Sequence, residues 1–558
     1  MSLEAPKYEI KNLDHLRIVS GFCDEIDFVG HIDRAVASSP KRKVSVGQGI
    51  KALLLNGLGY TERTLYLSHL FFKDKPVSLL LGEGLDYKDL HDDCLGSCLD
   101  AVYEYGVSKL FMELSFSSLR HFDIPLLIKH LDSTSISVQG AGIEESGVIK
   151  ITPGYNKQGQ HDLNQLVLHI VTNNRGGIPL FMNVHDGNEV DKKGFMKVIA
   201  AYKEELNSQN KDGLDKKGLW VVDNALYTAE NIKDLAKTLW LSRAGHGLKW
   251  VQALYQSSST KNWTGIEGET DYSYQLGKTD WGGIKQGVLV ILSENKKRKD
   301  LKALEKRISK SRITEEKGLK QLKKQVFLKP SQAKAASEKF SKKSKYYSLS
   351  KINIIQQEHY KPGRRKKGAK PESYTYRIES ELIIDDDKVK IAKNSAGKFV
   401  LVSNEINEKE WSKSVLQPNL FKRPVAELLV LYKNGQQKVE RSFRFLKDPL
   451  FLLSHIFLKL PRRIIALCMV MCLSLLIYAL AEWKLRKTMA EQEETLPNQL
   501  GKPVKNPSMR WIFQQFQGIH LLYVHIKGQV QMTIVGLDAL HRKILELLGN
   551  SMLKYYTI

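Results

Sequence analysis

Eighteen consecutive residues without a charge, Ile464 to Ala481 (IIALCMVMCLSLLIYALA), constrain this 558-residue chain more than any other feature. A helix apolar on every side has to be covered on every side, by lipid or by the rest of the protein. A bilayer span needs roughly 17–25 such residues, so this run sits at the lower edge. Arg462 and Arg463 precede it, and Lys484, Arg486 and Lys487 follow it, which gives no inside–outside asymmetry. The reading is a buried core helix, with no membrane partner. The opening MSLEAPKYEIKNLD has no apolar stretch of secretory type.

Burying such a helix demands a large fold, and at roughly 100–200 residues per domain the length predicts about three or four units. A hydrophobic content of 42% and a charged content of 26% are ordinary globular values. The net charge of +24 is unusual, and it is uneven. Lys296 to Lys370 hold 26 basic and 6 acidic residues, a net of +20, which leaves +4 for the other 483 residues. Such a field attracts polyanions, and nucleic acid is the commonest of these; the alternative is a solvated basic segment with no partner. Five cysteines form an odd, sparse set, as expected in a reducing cytoplasm. Cys94/Cys98, with His91 nearby, and Cys468/Cys472 stand at helical spacing. Neither pair has the second half of a zinc site, so both read as small buried side chains.

Residues 1–125 read as a helical N-terminal domain, with apolar positions at helical spacing in 16–22 and 50–55 and turn signals at Ser38-Ser39-Pro40 and Asn56-Gly57. Lys41-Arg42-Lys43 before the second helix allows a DNA-binding role; a helical cap or dimerisation unit fits equally well. From 126 the pattern changes. A short strand ends in Leu131-Asp132-Ser133-Thr134, and an apolar hairpin follows over 163–185. A helix is expected over 192–206, a buried strand over 218–223 ending in Asp223, and a helix from a Thr228 cap to Leu239. Strand, hairpin, helix, strand, helix is the order of an RNase H-like α/β core with a mixed sheet. The core runs over 126–246, is interrupted by a basic, β-rich insertion over 247–425, and resumes over 426–490 with the helix of Glu440 and the apolar helix. A C-terminal unit occupies 491–558, with two strands near 520–535 and a last helix at 538–548.

Asp132 and Asp223 both terminate predicted buried strands, where a carboxylate has no apolar purpose and where α/β folds tend to build sites. Taken singly, each is equally a cap or turn residue. Glu440 lies in KVERSFRFLK, where Val439, Phe443 and Leu446 form a core stripe and Glu440, Arg444 and Lys447 the stripe beside it. That set suits an ordinary intrahelical ion pair, or one metal ligand beside two phosphate-binding cations. Asp162, Asp186, Glu189 and Asp191 surround the hairpin and read as turn formers, Asp191 at most as a support to the ligands.

LDSTSIS at 131–137, VVDNALYTAENI at 221–232 and YKNGQQKVERSFRFLKDP at 432–449 resemble the three catalytic blocks of bacterial insertion-sequence transposases of the DDE class. The branch is the one with a β-rich insertion and a Tyr-Arg-Glu-Lys signature. GYNKQGQHDLNQ at 154–165, HDGNEVD at 185–191, RWIFQQFQGI at 510–519 and KVSVGQGIKALLLNGLGY at 43–60 resemble further blocks. The resemblance implies that Asp132, Asp223 and Glu440 bind two Mg²⁺ or Mn²⁺ and act as the catalytic triad. It implies cleavage of terminal inverted repeats and joining to target DNA, by a homodimer assembled on DNA. Hard cations of this kind prefer oxygen ligands, and in pairs they serve the attacking and leaving oxygens of phosphoryl transfer.

By the same resemblance, Tyr432 and Lys447 fill the signature positions that contact the transposon end in that family. Arg444 and the GRRKKGAK segment, with Arg364, Arg365, Lys366 and Lys367, are further DNA-binding candidates. Separations of 91 residues between the two aspartates and 217 from Asp223 to Glu440 agree with a domain inserted in the second gap. The chain departs from the signature at Gln436, which stands in place of its Arg. Tyr432 is one residue further from Glu440 than usual, so Asn434-Gly435 reads as an insertion in a turn. These departures spare the metal ligands and bear on the end-contacting residues. A copy that grips DNA without cutting it is the second reading.

Overall fold

The charge-free run lies inside one helix of 31 residues, Pro461–Glu491, in the computed structural model of the chain. Among the described residues it is the one helix long and apolar enough to cross a membrane, and 94% of its most apolar window is buried inside the protein. Helices Leu16–Glu25, Val46–Leu58, Asp92–Tyr105, Val107–His121, Met509–Gln515 and Ala539–Leu548 pack around it, together with strand Pro179–His185. The flanking cations are ion-paired at home. Arg463 meets Asp100 at 2.7 Å, Arg462 the same carboxylate at 3.2 Å, Lys484 meets Glu25 at 2.8 Å, Arg486 meets Glu482 at 2.9 Å, and Lys487 meets Glu491 at 3.9 Å. Cys468 and Cys472 are buried in this helix, and burial pushes the Cys468 thiol up to about 12.

The structure describes residues 7–36, 42–60, 67–138, 148–154, 163–189, 191–209, 218–258, 263–363, 368, 370–446, 458–526 and 529–557, without the side chains of 191, 192, 209, 436–440 and 442. These divide into two compact units, one of residues 1–242, 282–284 and 427–558, the other of 243–281 and 285–426.

The first unit holds the central helix and a mixed sheet. Ile128–Val138, the first core strand, pairs antiparallel with Asn164–Asn173, which pairs antiparallel with Pro179–His185. On its other side it pairs parallel with Leu219–Val222, which pairs parallel with Trp240–Ala244. In chain order the strands therefore lie 3-2-1-4-5, the mixed arrangement expected of an RNase H-like core. Lys129, fully buried on the first strand, directs its ammonium at the rings of Trp220 (5.2 Å) and Tyr202 (5.6 Å). Tyr202 belongs to helix Asp191–Gln209, so this cation–π cluster fixes that helix on one face of the sheet. Thr228 caps the next helix as expected, accepting from the Asn231 N–H, but that helix spans only Ala229–Asp234. The expected continuation to Leu239 fails because the Leu239 carbonyl is taken into the sheet by the Trp220 N–H at 2.9 Å.

The helical N-terminal region is present. Ser45 and Gln48 form a reciprocal capping box at the start of Val46–Leu58. Strand Lys7–Asn12, not anticipated from the sequence, pairs with His520–Ile526, which forms a hairpin with Gln529–Val535.

In the second unit an antiparallel sheet runs Lys398–Ser403, Gln286–Ser293, Glu269–Thr279, Thr264–Ile266. Helices Glu294–Lys324 and Pro330–Lys343 carry 17 basic and 6 acidic residues. Leu319, Leu322 and Ala333 from these helices form a small core with Leu349 and Ile378. The last two come from a long hairpin, Tyr347–His359 with Ser373–Ile384.

Removing one large side chain from the central helix tests how much rests on it. Leu476 is fully buried. Leu476→Ala is expected to destabilise the first unit by about 2–5 kcal/mol, read as a lowered midpoint in chemical denaturation.

Candidate active site

Parallel pairing between the first core strand and the Leu219 strand runs His130 to Val221, then Leu131 to Val222, and stops. One step further along each strand stand Asp132 and Asp223. Side chains alternate along a strand, so Asp132 lies on the face of His130, and Asp223 continues the face of His130's partner, Val221. The register thus sets the two carboxylates side by side. The first core strand does not end there, as its small polar residues suggest. It continues to Val138, paired with the antiparallel neighbour through Val138 and Asn164. Asp132 therefore marks the end of the parallel ladder rather than the end of its strand. The cause is the brevity of the Leu219 strand, four residues long.

Each carboxylate is half-buried and anchored locally. The Ser133 N–H donates to Asp132 Oδ1 at 2.7 Å, and the Asn224 N–H donates to Asp223 Oδ1 at 2.7 Å. The hydroxyl of Ser242, fully buried on the Trp240 strand, donates to the Asp223 carbonyl oxygen at 3.2 Å. Asp223 is not a helix cap, since Thr228 fills that role.

Over the same face passes helix Val425–Leu446, the carrier of Glu440. Its buried Gly435 approaches His130 so closely that a Cβ at 435 would overlap the imidazole ring. Asn434-Gly435, expected to form a turn, is instead interior to this continuous helix, with the glycine at the point of closest approach. Phe443 and Leu446 are buried, in keeping with the core stripe; Tyr432 is 5% exposed, and Arg444 is exposed. The side chains of Glu440, Gln436 and Asp191 lie outside the described residues, as do Arg364, Arg365, Lys366, Lys367, Lys447 and Asp162. Asp186 accepts the Lys150 N–H at 2.8 Å and Glu189 pairs with Lys197 at 2.8 Å, structural duties both.

His130, Gly435 and Ser242 escaped the sequence reading. A glycine within a helical pattern is the signal that could have found the helix contact. The site offers carboxylate oxygens at adjacent positions, partly open to solvent, which fits a hard divalent cation. Among the described residues, the three ligand-type side chains that already converge are His91, Asp92 and Asp93, with their ligand atoms within 4.8 Å of one another. They sit at an exposed helix start, where acids favour the helix dipole.

The steric fit of Gly435 against His130 yields a double-mutant test. Gly435→Ala is expected to cost about 1–3 kcal/mol by overpacking. In a His130→Ala background most of that cost should vanish, since the side chain it strikes is gone; denaturation of the four proteins measures the coupling.

Two family descriptions match the chain: "Transposase DDE domain" over residues 127–477, and a domain of unknown function, DUF4277, over residues 8–116. Among solved structures, a cryo-EM structure of a piggyBac transposase synaptic complex with hairpin DNA is similar at 7% identity and a TM-score of 0.37, over 92% of this chain and 82% of that one. No curated protein matches.

Proposed function

The chain belongs to the transposase DDE domain family, and we propose on that footing that it cuts the ends of an insertion sequence and joins them to target DNA. The observation that carries the reading is the register that sets Asp132 beside Asp223, beneath the helix of Glu440. Asp132, Asp223 and Glu440 would hold two Mg²⁺ or Mn²⁺, which when bound supply an activated water or 3′-hydroxyl and stabilise the leaving oxygen.

The chain's own groups do the positioning. The Ser133 and Asn224 N–H groups each tie down one carboxylate oxygen, so the aspartates present their acceptors in a fixed direction. Ser242 braces the backbone at Asp223 from the neighbouring strand. The Gly435 contact with His130 sets how near the Glu440 helix lies to the sheet. Preorganisation of this kind means that little reorganisation is left for the reaction itself.

DNA is the partner in this reading, both as terminal inverted repeats and as target, and the protein acts in the cytoplasm as a homodimer on DNA. The Lys-rich helices of the second unit, with Arg364, Arg365, Lys366 and Lys367, would grip the backbone; Tyr432, Arg444 and Lys447 would contact the transposon end. Six acidic residues cannot neutralise the 26 basic ones between Lys296 and Lys370, which supports that assignment.

Asp132→Asn and Asp223→Asn are each expected to lower cleavage of an inverted-repeat duplex by about 10³-fold or more, with DNA binding kept. Chelation of divalent ions should do the same to the unaltered protein. Cleavage that survives either treatment would sink the proposal. Intact binding with no cleavage by the unaltered protein would identify a copy that grips DNA without cutting it.

A further inference from the structure

Helix Glu294–Lys324 of the second unit, 31 residues long, sorts its charges by face. At about 100° per residue, Lys299, Lys302, Lys306 and Lys310 fall within one stripe about 80° wide. Lys317, Lys320 and Lys324 continue the same stripe to the end of the helix. Between Lys299 and Lys324 every position of the stripe but one, Ile313, is a lysine. The opposite side carries Leu304, Leu319 and Leu322, which are buried. All seven lysines accordingly face solvent and are exposed.

The five acids of the helix lie off this stripe, and three of them are taken by bases that also lie off it. Lys296 pairs with Asp300 at 3.0 Å, Lys297 with Glu294 at 3.3 Å and Arg312 with Glu316 at 2.9 Å. Among the described residues none of the seven stripe lysines is in an ion pair. Folding does not ask for this arrangement. Like charges four residues apart, as at Lys302, Lys306 and Lys310, destabilise a helix, and a face that needed only solvation would mix the two signs.

From Lys299 to Lys324 the helix rises about 37 Å at 1.5 Å per residue. One turn of duplex DNA rises about 34–36 Å. A straight row of ammonium groups of that length complements a run of backbone phosphates. Ammonium groups on flexible stems are point charges, and contacts to phosphate position a duplex without reading its bases.

We propose that this lysine stripe lies along about one turn of duplex DNA and grips its phosphates whatever the sequence. The proposal rests on the function assigned above and deepens it, giving one face of one helix the task of holding target DNA.

The test measures how binding by the full chain depends on salt, in the presence of Ca²⁺. A duplex of scrambled sequence is compared with an inverted-repeat duplex of equal length. Each lost phosphate contact should make the slope of log affinity against log salt shallower by about 0.9. Lys306→Gln combined with Lys317→Gln should therefore shift the slope by about 1.8 on the scrambled duplex. Lys306→Arg with Lys317→Arg should keep it, because counterion release follows charge. Lys297→Gln with Arg312→Gln removes the same charge from the same helix away from the stripe, and should leave the slope unchanged. Gln matches Lys and Arg in helix propensity, so thermal melts should stay normal throughout.

An unchanged slope in the Lys306/Lys317 Gln variant overturns the proposal, and so does an equal shift in the Lys297/Arg312 variant. A shift confined to the inverted-repeat duplex overturns it too, since the grip would then depend on sequence. If the Gln variant loses binding to phosphatidylserine vesicles while its DNA slope is unchanged, the stripe belongs to an anionic membrane surface and the proposal falls. The catalytic reading fails separately. An unaltered protein that never cleaves the inverted-repeat duplex, in a series that still shows the slope shift, removes that reading and leaves the stripe standing.

Discussion

Everything in the first unit depends on one requirement, that a helix apolar on all sides be sealed from water on all sides. Pro461–Glu491 meets it by recruiting helices that begin as early as Leu16 and end as late as Leu548, together with one strand of the mixed sheet. Each neighbour covers a different flank, so the N-terminal helices, the sheet and the C-terminal helices are one cooperative body rather than strung modules. The flanking ion pairs to Asp100 and Glu25 then fix how far the helix slides along its axis. Polar pairs of this kind contribute little net stability when partly exposed, but they select one alignment out of several.

The site inherits its precision from this packing. Two carboxylates at the end of a parallel ladder are placed by backbone register, which tolerates no half-steps. Glu440, the third acid of the proposed site, has no such ladder. It rides on a helix whose approach is set by a glycine against an imidazole, a contact that van der Waals radii define sharply. The division of charge follows a related logic. The acids belong to the first unit, while most of the excess of basic residues is folded into the second around its own small core.

Much of this was legible in the sequence, for identifiable reasons. The strands around Asp132 and Asp223 announce themselves by apolar runs that stop abruptly, and the central helix by the absence of charge. Local caps such as Thr228 were readable because the hydrogen bond spans three residues. What could not be read were contacts between distant segments. Nothing in the run LDSTSIS reveals that its strand outlasts its parallel neighbour, because that depends on where the Leu219 strand stops. Gly435 looked like a turn beside Asn434, since the imidazole that requires it stands 305 positions away. KYEIKN has too little apolar content to be recognised as a strand until the C-terminal hairpin supplies its partner.

The position of the central helix in the chain also imposes an order in time. The last N-terminal helix around it ends at His121, and the central helix is finished only at Glu491, about 370 residues later. At roughly 5–20 residues per second, synthesis leaves the early helices and the sheet without their shared filling for about 20–70 s. During that interval the second unit can fold around its own core, while the half-built first unit exposes a groove shaped for an apolar helix. Such a groove is an attractive target for chaperones that bind apolar segments. Covering that nascent groove during synthesis is thus a requirement separate from the stability of the finished fold.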